Sequence, residues 1–410
     1  MRILAVTNLY PNPYQPYRAT FNRQEFRALA KLHSLALISP IAWTDELACQ
    51  GKSAARLPRD RRIQLDGLTV DHPRYLFTPK VLRAWYGHFY RYSVKSAFER
   101  ALAEFRPDLI YAHWAYPDGW AAVELGHAAG LPVVIKVHGS DILVLASYRG
   151  RRHRTIEVLQ RADGVVAVSQ DLARRMVEMG ARAGNIHVVY SGIDREVFRP
   201  GSRAEARRSL GLPADIPIIL FVGNLLPVKG LDVLVEACSH LKRDGVKFSC
   251  LLIGQGPMRE RLERQVAGFQ LQNQISMLGL KPNEELTDWY RAATLFVLPS
   301  RSEGLPTVLR EASACGTPFV ASRVGGIPEI AHLVPSRLVQ PEDARRLAHA
   351  IREMIESPIN HQEHVGPSRQ FPSHEESAAE LSEVLEAHLR EYRGQATHLG
   401  SSRSLTELAS

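Results

Sequence analysis

Short apolar runs alternate with amphipathic helical patterns along most of the chain, and the alternation occurs as two successive series. An apolar run, a helical pattern and a further apolar run form a crossover unit, which makes the two strands parallel. The sequence therefore predicts an α/β protein with two doubly wound parallel sheets. Strands of the first series are predicted at residues 2–7, 35–38, 108–112, 132–137, 164–168 and 187–189. Strands of the second are predicted at residues 216–222, 248–253, 275–278, 294–298 and 318–321.

Helical patterns lie between these strands, at residues 21–32, 118–129 and 171–179 in the first series and at 231–241, 258–267, 284–291, 306–315 and 344–355 in the second. Glycine and proline recur between residues 190 and 213, which predicts a linker there. We expect one domain over residues 1–197 and a second over 198–370. A helix over 371–395 is expected to pack back on the first domain, followed by a disordered tail over 396–410.

Composition excludes several classes of protein. With 45% hydrophobic and 23% charged residues, the chain matches an ordinary globular protein and not a fibrous or disordered one. The four cysteines lie far apart and form no C-x-x-C pair, so neither a structural zinc site nor a disulfide framework is expected. The apolar run at the N-terminus is too short for a signal peptide, and no run approaches the ~20 residues of a membrane-spanning helix. A cytoplasmic protein is expected.

Positive charge is concentrated in the first half of the sequence. Residues 1–200 contain 28 Lys and Arg against 18 Asp and Glu, whereas residues 201–410 contain 23 against 25. This asymmetry predicts an anionic partner, which is a membrane, a nucleic acid or a phosphorylated substrate. The basic, aromatic stretch 80–100 fits either an interfacial membrane helix or a core-packing amphipathic helix, and an arginine cluster at 149–154 favours an anionic membrane surface. No nucleic-acid-binding module accompanies the charge, so nucleic acid is not expected as a partner.

The segment LPSRSEGLPTVLREASACGTPFVAS at residues 298–322 is the most informative local pattern. Proline at 306 and glycine at 316 predict a helix over 306–315. The loop before it presents backbone N–H groups and the positive end of a helix dipole, which together favour phosphate. Glu303 and Glu311 are suited to accept hydrogen bonds from hydroxyl groups, so the pair predicts a ligand with both phosphate and polyol; the alternative is two solvated glutamates.

Two further turns support a phosphate ligand. In FVGNLLPVKGLDVLVEA, residues 221–237, Lys229 enters a helix at the carboxyl edge of the predicted sheet and can meet a diphosphate. A lysine in the first turn opposes the helix dipole, which disfavours a purely structural origin. The turn IGQGP at 253–257 allows the backbone to approach a ligand closely, although it could also be only a turn.

In order and spacing, these segments resemble the nucleotide-binding domain of the retaining glycosyltransferases of family 4, which have the GT-B architecture of two Rossmann-like domains facing a cleft. The resemblance rests on GxxxPxKG at 223–230, GxGP at 254–257, the Glu-x7-Glu segment at 303–311 and ASxVGGIPEI at 321–330. It implies that Glu303 contacts the donor sugar, Glu311 holds the ribose and Lys229 neutralises the diphosphate. The other implied donor-binding residues are Gly223, Asn224, Gly254, Gly256, Gly304, Leu305, Pro306 and Thr307.

One position departs from the family pattern. Family members often carry arginine where this chain has Asn224, so one cation on the diphosphate is missing. Either Arg18 or Arg23 of the first half replaces it, or Asn224 hydrogen-bonds the phosphate as a neutral donor.

The first half resembles bacterial family members that build surface polysaccharides, through the loop 10–24, the segment YAHWAYPDGW at 111–120 and VHGSD at 137–141. The resemblance implies that His138 lies beside the transferred sugar. Acceptor-side candidates are Thr20, Phe21, His113 and Asp141. His113 fits a packed structural residue equally well.

Motifs that are missing narrow the function. The chain has no G-x-G-x-x-G after its first strand, no P-loop and no Asp-x-Asp, which argues against dinucleotide oxidoreductases, P-loop nucleotidases and metal-bridging transferases. The resemblance implies a retaining hexosyltransferase that moves a sugar from a nucleotide-diphosphate sugar to a lipid-linked or polysaccharide-precursor acceptor, peripheral at the inner face of the cytoplasmic membrane. No cofactor and no obligatory metal ion are expected. The alternatives are a sugar-nucleotide epimerase or sugar-phosphate synthase of the same fold, and a non-catalytic module that binds a nucleotide sugar or lipid.

Overall fold

The computed structural model describes residues 1–16, 18–49, 57–144, 148–356 and 371–407, with side chains as far as residue 395. The chain forms two units. Unit 1 comprises Met1–Gly192 together with His374–Ser410, and unit 2 comprises Ile193–Ser373. Among the helices of the described residues, none combines the length and apolar character needed to cross a membrane.

Unit 1 is built on an eight-stranded sheet with the order β10-β9-β8-β7-β1-β2-β5-β4, parallel except for the antiparallel pair β4–β5. A short parallel pair, β3–β6, stands apart from it. The direction in which successive strands are added to the sheet reverses between β1 and β7. The carboxyl ends of these two strands therefore form a topological switch point. The strands are β1 Arg2–Val6, β2 Ser34–Ile38, β3 Ile41–Ala42, β4 Arg62–Leu65, β5 Leu68–Asp71, β6 Arg74–Tyr75, β7 Leu109–His113, β8 Val133–Val137, β9 Gly164–Ala167 and β10 Ile186–Val188.

The central strands of this sheet are buried on both faces, because helices cover both sides of a parallel sheet. The helices of this part of the chain are α1 Thr20–Leu29, α2 Trp43–Cys49, α3 Tyr86–Glu104, α4 Trp120–Ala128, α5 Ser140–Leu143, α6 Arg149–Arg161 and α7 Gln170–Glu178.

Unit 2 has a six-stranded, fully parallel sheet with the order β13-β12-β11-β14-β15-β16, so its switch point lies between β11 and β14. Its strands are β11 Ile218–Val222, β12 Ser249–Ile253, β13 Ile275–Gly279, β14 Leu295–Leu298, β15 Phe319–Ser322 and β16 Ser336–Val339. Its helices are α8 Arg203–Ser209, α9 Leu231–Arg243, α10 Arg259–Gly268, α11 Leu286–Ala292, α12 Thr307–Ala314, α13 Ile327–Ile330 and α14 Ala344–Glu356.

The last helix, α15 His374–Glu407, belongs to unit 1. Leu381, Leu385 and Leu389 recur at every fourth position and lie in the apolar core of that unit, where α15 packs against α1. The helix extends through Glu407, whereas the sequence predicts disorder from residue 396; the helical hydrogen bonds of the packed part continue into this segment. Residues 408–410 and the segment 357–370, where the predicted domain boundary falls, lie outside the described residues.

The predicted linker over residues 190–213 is partly wrong, because α8 lies inside it. The Ser202 side chain caps this helix by accepting a hydrogen bond from the backbone N–H of Glu205 at 3.3 Å. Arg207 is buried and donates to the backbone oxygen of Ala292 at 3.0 Å, which fastens α8 to α11. The glycines and prolines that flank such a short helix obscured it in the sequence.

The stretch 80–100 divides into a buried and an exposed part. Helix α3 buries Tyr86, Tyr90 and Val94 on one stripe, so its body packs in the core of unit 1. Residues before the helix, Val81, Leu82 and Trp85, are all more than half exposed. The alternative of a core-packing helix therefore holds for α3 itself, although Tyr92 on this helix is 78% exposed. The other exposed apolar side chains of the stretch lie just before the helix.

Candidate functional site

Three segments that the sequence identifies as donor-binding follow neighbouring strands of unit 2. Gly223, Asn224 and Lys229 follow β11, Gly254 and Gly256 follow β12, and the loop with Glu303 follows β14. Because β11 and β14 are adjacent at the switch point, their loops border the crevice where open α/β sheets bind ligands. The structure thus brings these predicted residues to one edge of one sheet.

The loops after β11 and β12 are in direct backbone contact. The N–H of Leu225 donates to the backbone oxygen of Gln255 at 2.9 Å, and the N–H of Met258 donates to the oxygen of Leu225 at 3.1 Å. Gly254 has φ +143°, and a Cβ atom there would collide with the carbonyl oxygen of Gly223. The glycine motif therefore allows close packing of the two loops that are predicted to bind the donor.

Lys229 and Glu303 form an ion pair at this edge. The Lys229 ammonium donates to Glu303 Oε1 at 2.6 Å, and the Ser300 hydroxyl donates to the same oxygen at 2.6 Å. The cation and the carboxylate therefore neutralise each other. A diphosphate would compete for Lys229 and release Glu303 to accept a hydrogen bond from a hydroxyl group.

Arg301 fastens the loop after β14 to the segment after β11. No sequence motif identifies this residue. Its guanidinium donates to both carboxylate oxygens of Asp232, at 2.9 Å each, and its backbone N–H donates to the oxygen of Val228 at 2.8 Å. Bidentate pairs of this kind fix geometry as well as charge. The two partners are 69 residues apart, so only the fold pairs them.

Helix α12 presents its N-terminus beside Glu303. Within the described residues, no side chain caps this N-terminus, so its first N–H groups are free to meet an anion. Gly304, Leu305 and Pro306 are buried and Thr307 is half-buried, whereas Asn224 is exposed. The predicted helix over 306–315 agrees with the observed bounds within one residue at each end.

Glu311, inside α12, is almost completely buried. The Tyr290 hydroxyl donates to its Oε2 at 2.9 Å. Burial raises the pKa of Glu311 to about 7, since this hydrogen bond and the neighbouring Arg310 only partly offset the cost of removing the carboxylate from water. Tyr290 is a second residue that the sequence analysis missed; its isolated position on α11 carries no motif.

In unit 1, His138 follows β8 and lies among aromatic side chains. The Phe21 ring, at the start of α1 beside the exposed Thr20, lies 5.2 Å from the His138 ring between centroids. His138 Nε2 lies 3.1 Å from Nδ1 of His113, which is fully buried. Burial and the neighbouring His113 lower the pKa of His138 well below its ordinary value, so its ring is neutral at physiological pH.

Asp141 organises the backbone around His138. Its carboxylate accepts hydrogen bonds from the N–H groups of His138 at 3.2 Å, Gly139 at 2.9 Å and Ala115 at 3.1 Å. Burial raises the pKa of Asp141, although these N–H donors oppose the shift. Asp141 therefore joins the loops after β7 and β8 and is itself nearly inaccessible.

A buried charged network lies beneath His113. Lys136, on β8, forms a close ion pair with Glu25 Oε2 on α1, and the Tyr111 hydroxyl donates to Glu25 Oε1 at 2.8 Å. His113 Nε2 lies 3.3 Å from the same oxygen. Glu25 and Lys136 are not among the predicted site residues, although a lysine in the otherwise apolar run 132–137 is an unusual feature.

The two arginines proposed as replacements for the missing diphosphate cation already have carboxylate partners. Arg23 makes a bidentate pair with Asp66 at 2.6 and 2.7 Å. Arg18 lies 3.3 Å from Asp45.

Comparison with known proteins identifies the family. The model described as Glycosyltransferase Family 4 matches residues 12–197, and the model described as Glycosyl transferases group 1 matches residues 202–369. TuaC of Bacillus subtilis strain 168, a glycosyltransferase named for teichuronic acid biosynthesis, is 30% identical over 356 residues, which cover 86% of this chain and 88% of TuaC. The chain belongs to the family 4, group 1 glycosyltransferases. A D-inositol 3-phosphate glycosyltransferase from Catenulispora acidiphila is 33% identical over 293 residues, 64% of this chain and 70% of that protein.

This glycosyltransferase has the GT-B fold. Anabaena Alr3699/HepE in complex with UDP and glucose superposes with a TM-score of 0.71 at 20% identity, over 94% of this chain and 99% of that one. Sucrose-phosphate synthase from Thermosynechococcus elongatus gives a TM-score of 0.71 at 22% identity, over 98% and 99% of the two chains. The predicted family and fold class are confirmed, and the chain is a glycosyltransferase that uses a nucleotide-sugar donor.

Proposed function

We propose that this glycosyltransferase transfers a hexose, with retention of anomeric configuration, from a nucleoside-diphosphate sugar to a lipid-linked or polysaccharide-precursor acceptor. The observation that carries the proposal is the cluster at the β11/β14 switch point. There a lysine, two glutamates and an uncapped helix N-terminus follow neighbouring strands. The positive charge suits a diphosphate, and the neighbouring carboxylates suit hydroxyl groups. Together they fit a nucleotide sugar.

Each of these groups has a role in the proposed reaction. Lys229 and the first N–H groups of α12 meet the diphosphate, and they act most strongly as negative charge grows on it during departure. We assign Glu303 to a hydroxyl of the transferred sugar, Glu311 to the ribose and His138 of unit 1 to the transferred sugar. Because the protein supplies these cationic and dipolar groups itself, the proposed reaction needs no resident metal ion and no cofactor.

Retention follows if the acceptor hydroxyl bonds to the anomeric carbon on the face from which the diphosphate leaves. The acceptor proton then passes to an oxygen of the departing diphosphate. The proposal therefore assigns no side chain as general base.

The acceptor proposal draws on the relatives and on the surface of unit 1. TuaC is named for teichuronic acid biosynthesis, and the Catenulispora relative is named a D-inositol 3-phosphate glycosyltransferase. We define a basic–apolar patch formed by Val81, Leu82, Trp85 and Tyr148 with Arg83 and Arg149, all of them exposed. The Arg83 guanidinium lies 5.5 Å from the Tyr148 ring centroid, which joins the two segments of the patch. Exposed apolar side chains beside basic ones suit an anionic membrane surface, and we place the enzyme at the inner face of the cytoplasmic membrane.

A transfer assay tests the proposed reaction. Purified chain is incubated with radiolabelled UDP-hexoses and GDP-hexoses and a bacterial lipid extract, and label is followed into lipid, polymer and water-soluble product. We expect nucleoside diphosphate release together with label in lipid or polymer, an unchanged anomeric configuration by NMR, and activity that persists in EDTA. Label only in small soluble products would favour the synthase or epimerase alternative, and binding without nucleotide release would favour a non-catalytic module.

Substitution of Lys229 tests the proposed diphosphate site most directly. Lys229→Ala should lower kcat/KM for the donor by about 10²–10³, because it removes a cation that stabilises the leaving group. Lys247→Ala is the matched control, since Lys247 is an exposed lysine of the same unit. Wild-type kcat/KM in Lys229→Ala would overturn the assignment of the diphosphate site.

A further inference from the structure

Asn22, His113 and His138 form a chain of side-chain hydrogen bonds that ends at the ring we assign to the transferred sugar. Asn22 Oδ1 lies 2.9 Å from His113 Nδ1, and the same nitrogen lies 3.1 Å from His138 Nε2. Asn22 and His113 are fully buried, whereas His138 is half-buried. The two buried residues can therefore act on a ligand only through the ring of His138.

The backbone fixes the orientation of the Asn22 amide. Its Nδ2 donates to the backbone oxygen of Leu9 at 2.7 Å. A carbonyl oxygen only accepts hydrogen bonds, so the opposite orientation of the amide would place two oxygens in repulsive contact. The atom of Asn22 that faces His113 is therefore Oδ1, which also only accepts.

This orientation assigns the ring proton of His113 to Nδ1. An unprotonated Nδ1 would place its lone pair against Asn22 Oδ1 inside the protein, which is costly for two buried acceptors. The other ring nitrogen, Nε2, lies 3.3 Å from Glu25 Oε1 but makes no hydrogen bond with any residue that the structure describes. Glu25 is already paired with Lys136 and Tyr111. A second proton, on Nε2, would add a bond to Glu25 and would leave Nδ1 protonated.

The proton of His113 in turn determines the position of the proton on His138. Two N–H groups that face each other at 3.1 Å repel, so His138 Nε2 accepts a hydrogen bond that His113 Nδ1–H shares between it and Asn22. Burial and His113 lower the pKa of His138, so its neutral ring has one proton, and that proton lies on Nδ1. The described residues bind His138 through its backbone N–H and its Nε2, and none of them binds Nδ1.

We propose that Asn22 and His113 are positioning residues that hold His138 in the tautomer with Nδ1 protonated, so that its ring donates a hydrogen bond to an oxygen of the transferred sugar. A histidine without such partners exchanges between two tautomers and can offer either a donor or an acceptor at Nδ1. The buried pair makes this position of the site a donor only. The sugar contact rests on the proposed function, whereas the tautomer is a property of the chain alone.

Nitrogen NMR of the full chain tests the tautomer. The 16 histidines are labelled with ¹⁵N, and the ring signals of His138 are identified by their loss in His138→Gln. Protonated and unprotonated ring nitrogens have well-separated chemical shifts, so the spectrum shows which nitrogen carries the proton. We expect a protonated Nδ1 and an unprotonated Nε2 in the wild type without any ligand. A protonated Nε2 overturns the proposal, and this measurement stands even if a variant of the buried pair fails to fold.

Variants of the buried pair test its role. Asn22→Leu and His113→Val should each move the proton of His138 to Nε2 in a substantial fraction of the molecules, because the donor that faces Nε2 is lost or no longer fixed. His113→Asn should retain the wild-type tautomer, since an asparagine amide can place an N–H close to the position of Nδ1–H. His72→Val is the matched control, because His72 is also buried in unit 1 but bonds to the backbone oxygen of Ser39. An unchanged His138 tautomer in Asn22→Leu or His113→Val, or an equal change in His72→Val, overturns the role of the pair.

Donor analogues test the contact with the sugar. Fluorine in place of a hydroxyl group still accepts a weak hydrogen bond but donates none, whereas the deoxy sugar does neither. At the hydroxyl that His138 contacts, the fluoro analogue should bind about two- to tenfold more tightly than the deoxy analogue. Dissociation constants are measured by calorimetry, because fluorine also slows the departure of the diphosphate. The difference should disappear in His138→Ala.

The remaining outcomes separate this inference from the proposed function. A protonated Nε2 on His138 overturns the inference even if nucleotide sugars are turned over. Equal binding of the fluoro and deoxy analogues at every hydroxyl of the hexose overturns the donated hydrogen bond. A protonated Nδ1 without turnover of any nucleotide sugar overturns the transferase proposal and leaves the tautomer standing.

Discussion

The side-chain carboxyl group of Glu311 ionises near neutral pH. Burial raises its pKa to about 7, while the hydrogen bond from Tyr290 favours the ionised form. An ionised carboxylate accepts hydrogen bonds from two ribose hydroxyls better than a protonated one does. The proposed ribose contact therefore links donor affinity to the protonation of a single buried group.

Nucleotide affinity should accordingly fall as the pH decreases through about 7, approaching tenfold per pH unit on the acid side. Tyr290→Phe should move this transition to higher pH, because the ionised form loses the hydroxyl that stabilises it. Calorimetric titration with UDP and GDP across the pH range measures both effects. Glu311→Gln is the control and should bind weakly at every pH. Affinity of the wild type that does not vary with pH, or a transition moved to lower pH by Tyr290→Phe, would contradict the role of Glu311.

Sequence motifs identify the residues of unit 2 that we propose to bind the donor, but not the residues that hold them in place. Lys229, Glu303 and Glu311 stand in local patterns of turn, proline and helix start, which carry a physical meaning without knowledge of the fold. Tyr290 lies 21 residues from Glu311, and Arg301 lies 69 residues from Asp232. Such supporting contacts depend on the packing of the sheet, and no local pattern encodes them.

At the scale of elements, one buried ion pair joins α1 to β8. Lys136 and Glu25 are 111 residues apart and nearly inaccessible. Burial opposes ionisation of Glu25, but Lys136 and His113 outweigh it and hold its pKa well below the ordinary value. The pair lies beneath His113, which contacts His138, so the charges that join the two elements also support the ring that we assign to the sugar.

Lys136→Met should destabilise the chain by about 3–5 kcal/mol, because it leaves Glu25 buried without its main cation. Glu25→Gln in the same chain should restore much of the loss, since the uncompensated charge is removed. Urea unfolding measures the free energies. Lys95→Met is the matched control, because it breaks an exposed pair with Glu99 on α3 and should cost less than about 0.5 kcal/mol. A cost below about 1 kcal/mol for Lys136→Met would contradict the importance of the pair.

The central strands of both sheets were predicted, and so were the edge strands β10 and β13, whereas the opposite edge strands β4 and β16 were not. Strands such as β11 and β14 are continuous apolar runs because helices cover both their faces. Strands β4 and β16 lie at sheet edges, and their residues are mostly half-exposed, so their sequences resemble loops. Helix α8 escaped prediction for a related reason, since seven residues bounded by glycine and proline give too short a periodic pattern.

At the scale of the whole molecule, the distribution of charge supports the proposal that unit 1 faces an anionic membrane. The excess of Lys and Arg lies in residues 1–200, nearly all of which belong to unit 1, and α15 returns to that unit. The basic–apolar patch is formed where the turn Arg83–Trp85 meets the start of α6. Trp85 is 55% exposed. In the proposed membrane contact, Trp85 and its apolar neighbours would insert into the interface, while the arginines attract the anionic headgroups.

The double variant Arg83→Gln, Arg149→Gln should weaken binding to vesicles that contain phosphatidylglycerol by roughly 30-fold, at about 1 kcal/mol for each basic residue. Trp85→Ser should weaken it further by removing the aromatic anchor. Vesicle sedimentation at low salt measures the binding, and added salt should reduce it in the wild type. Leu280→Ser is the control, since Leu280 is 53% exposed but lies in unit 2. If the wild type binds anionic and neutral vesicles equally, or if Leu280→Ser weakens binding as much as Trp85→Ser, the patch is no docking surface and the acceptor reaches the enzyme from solution.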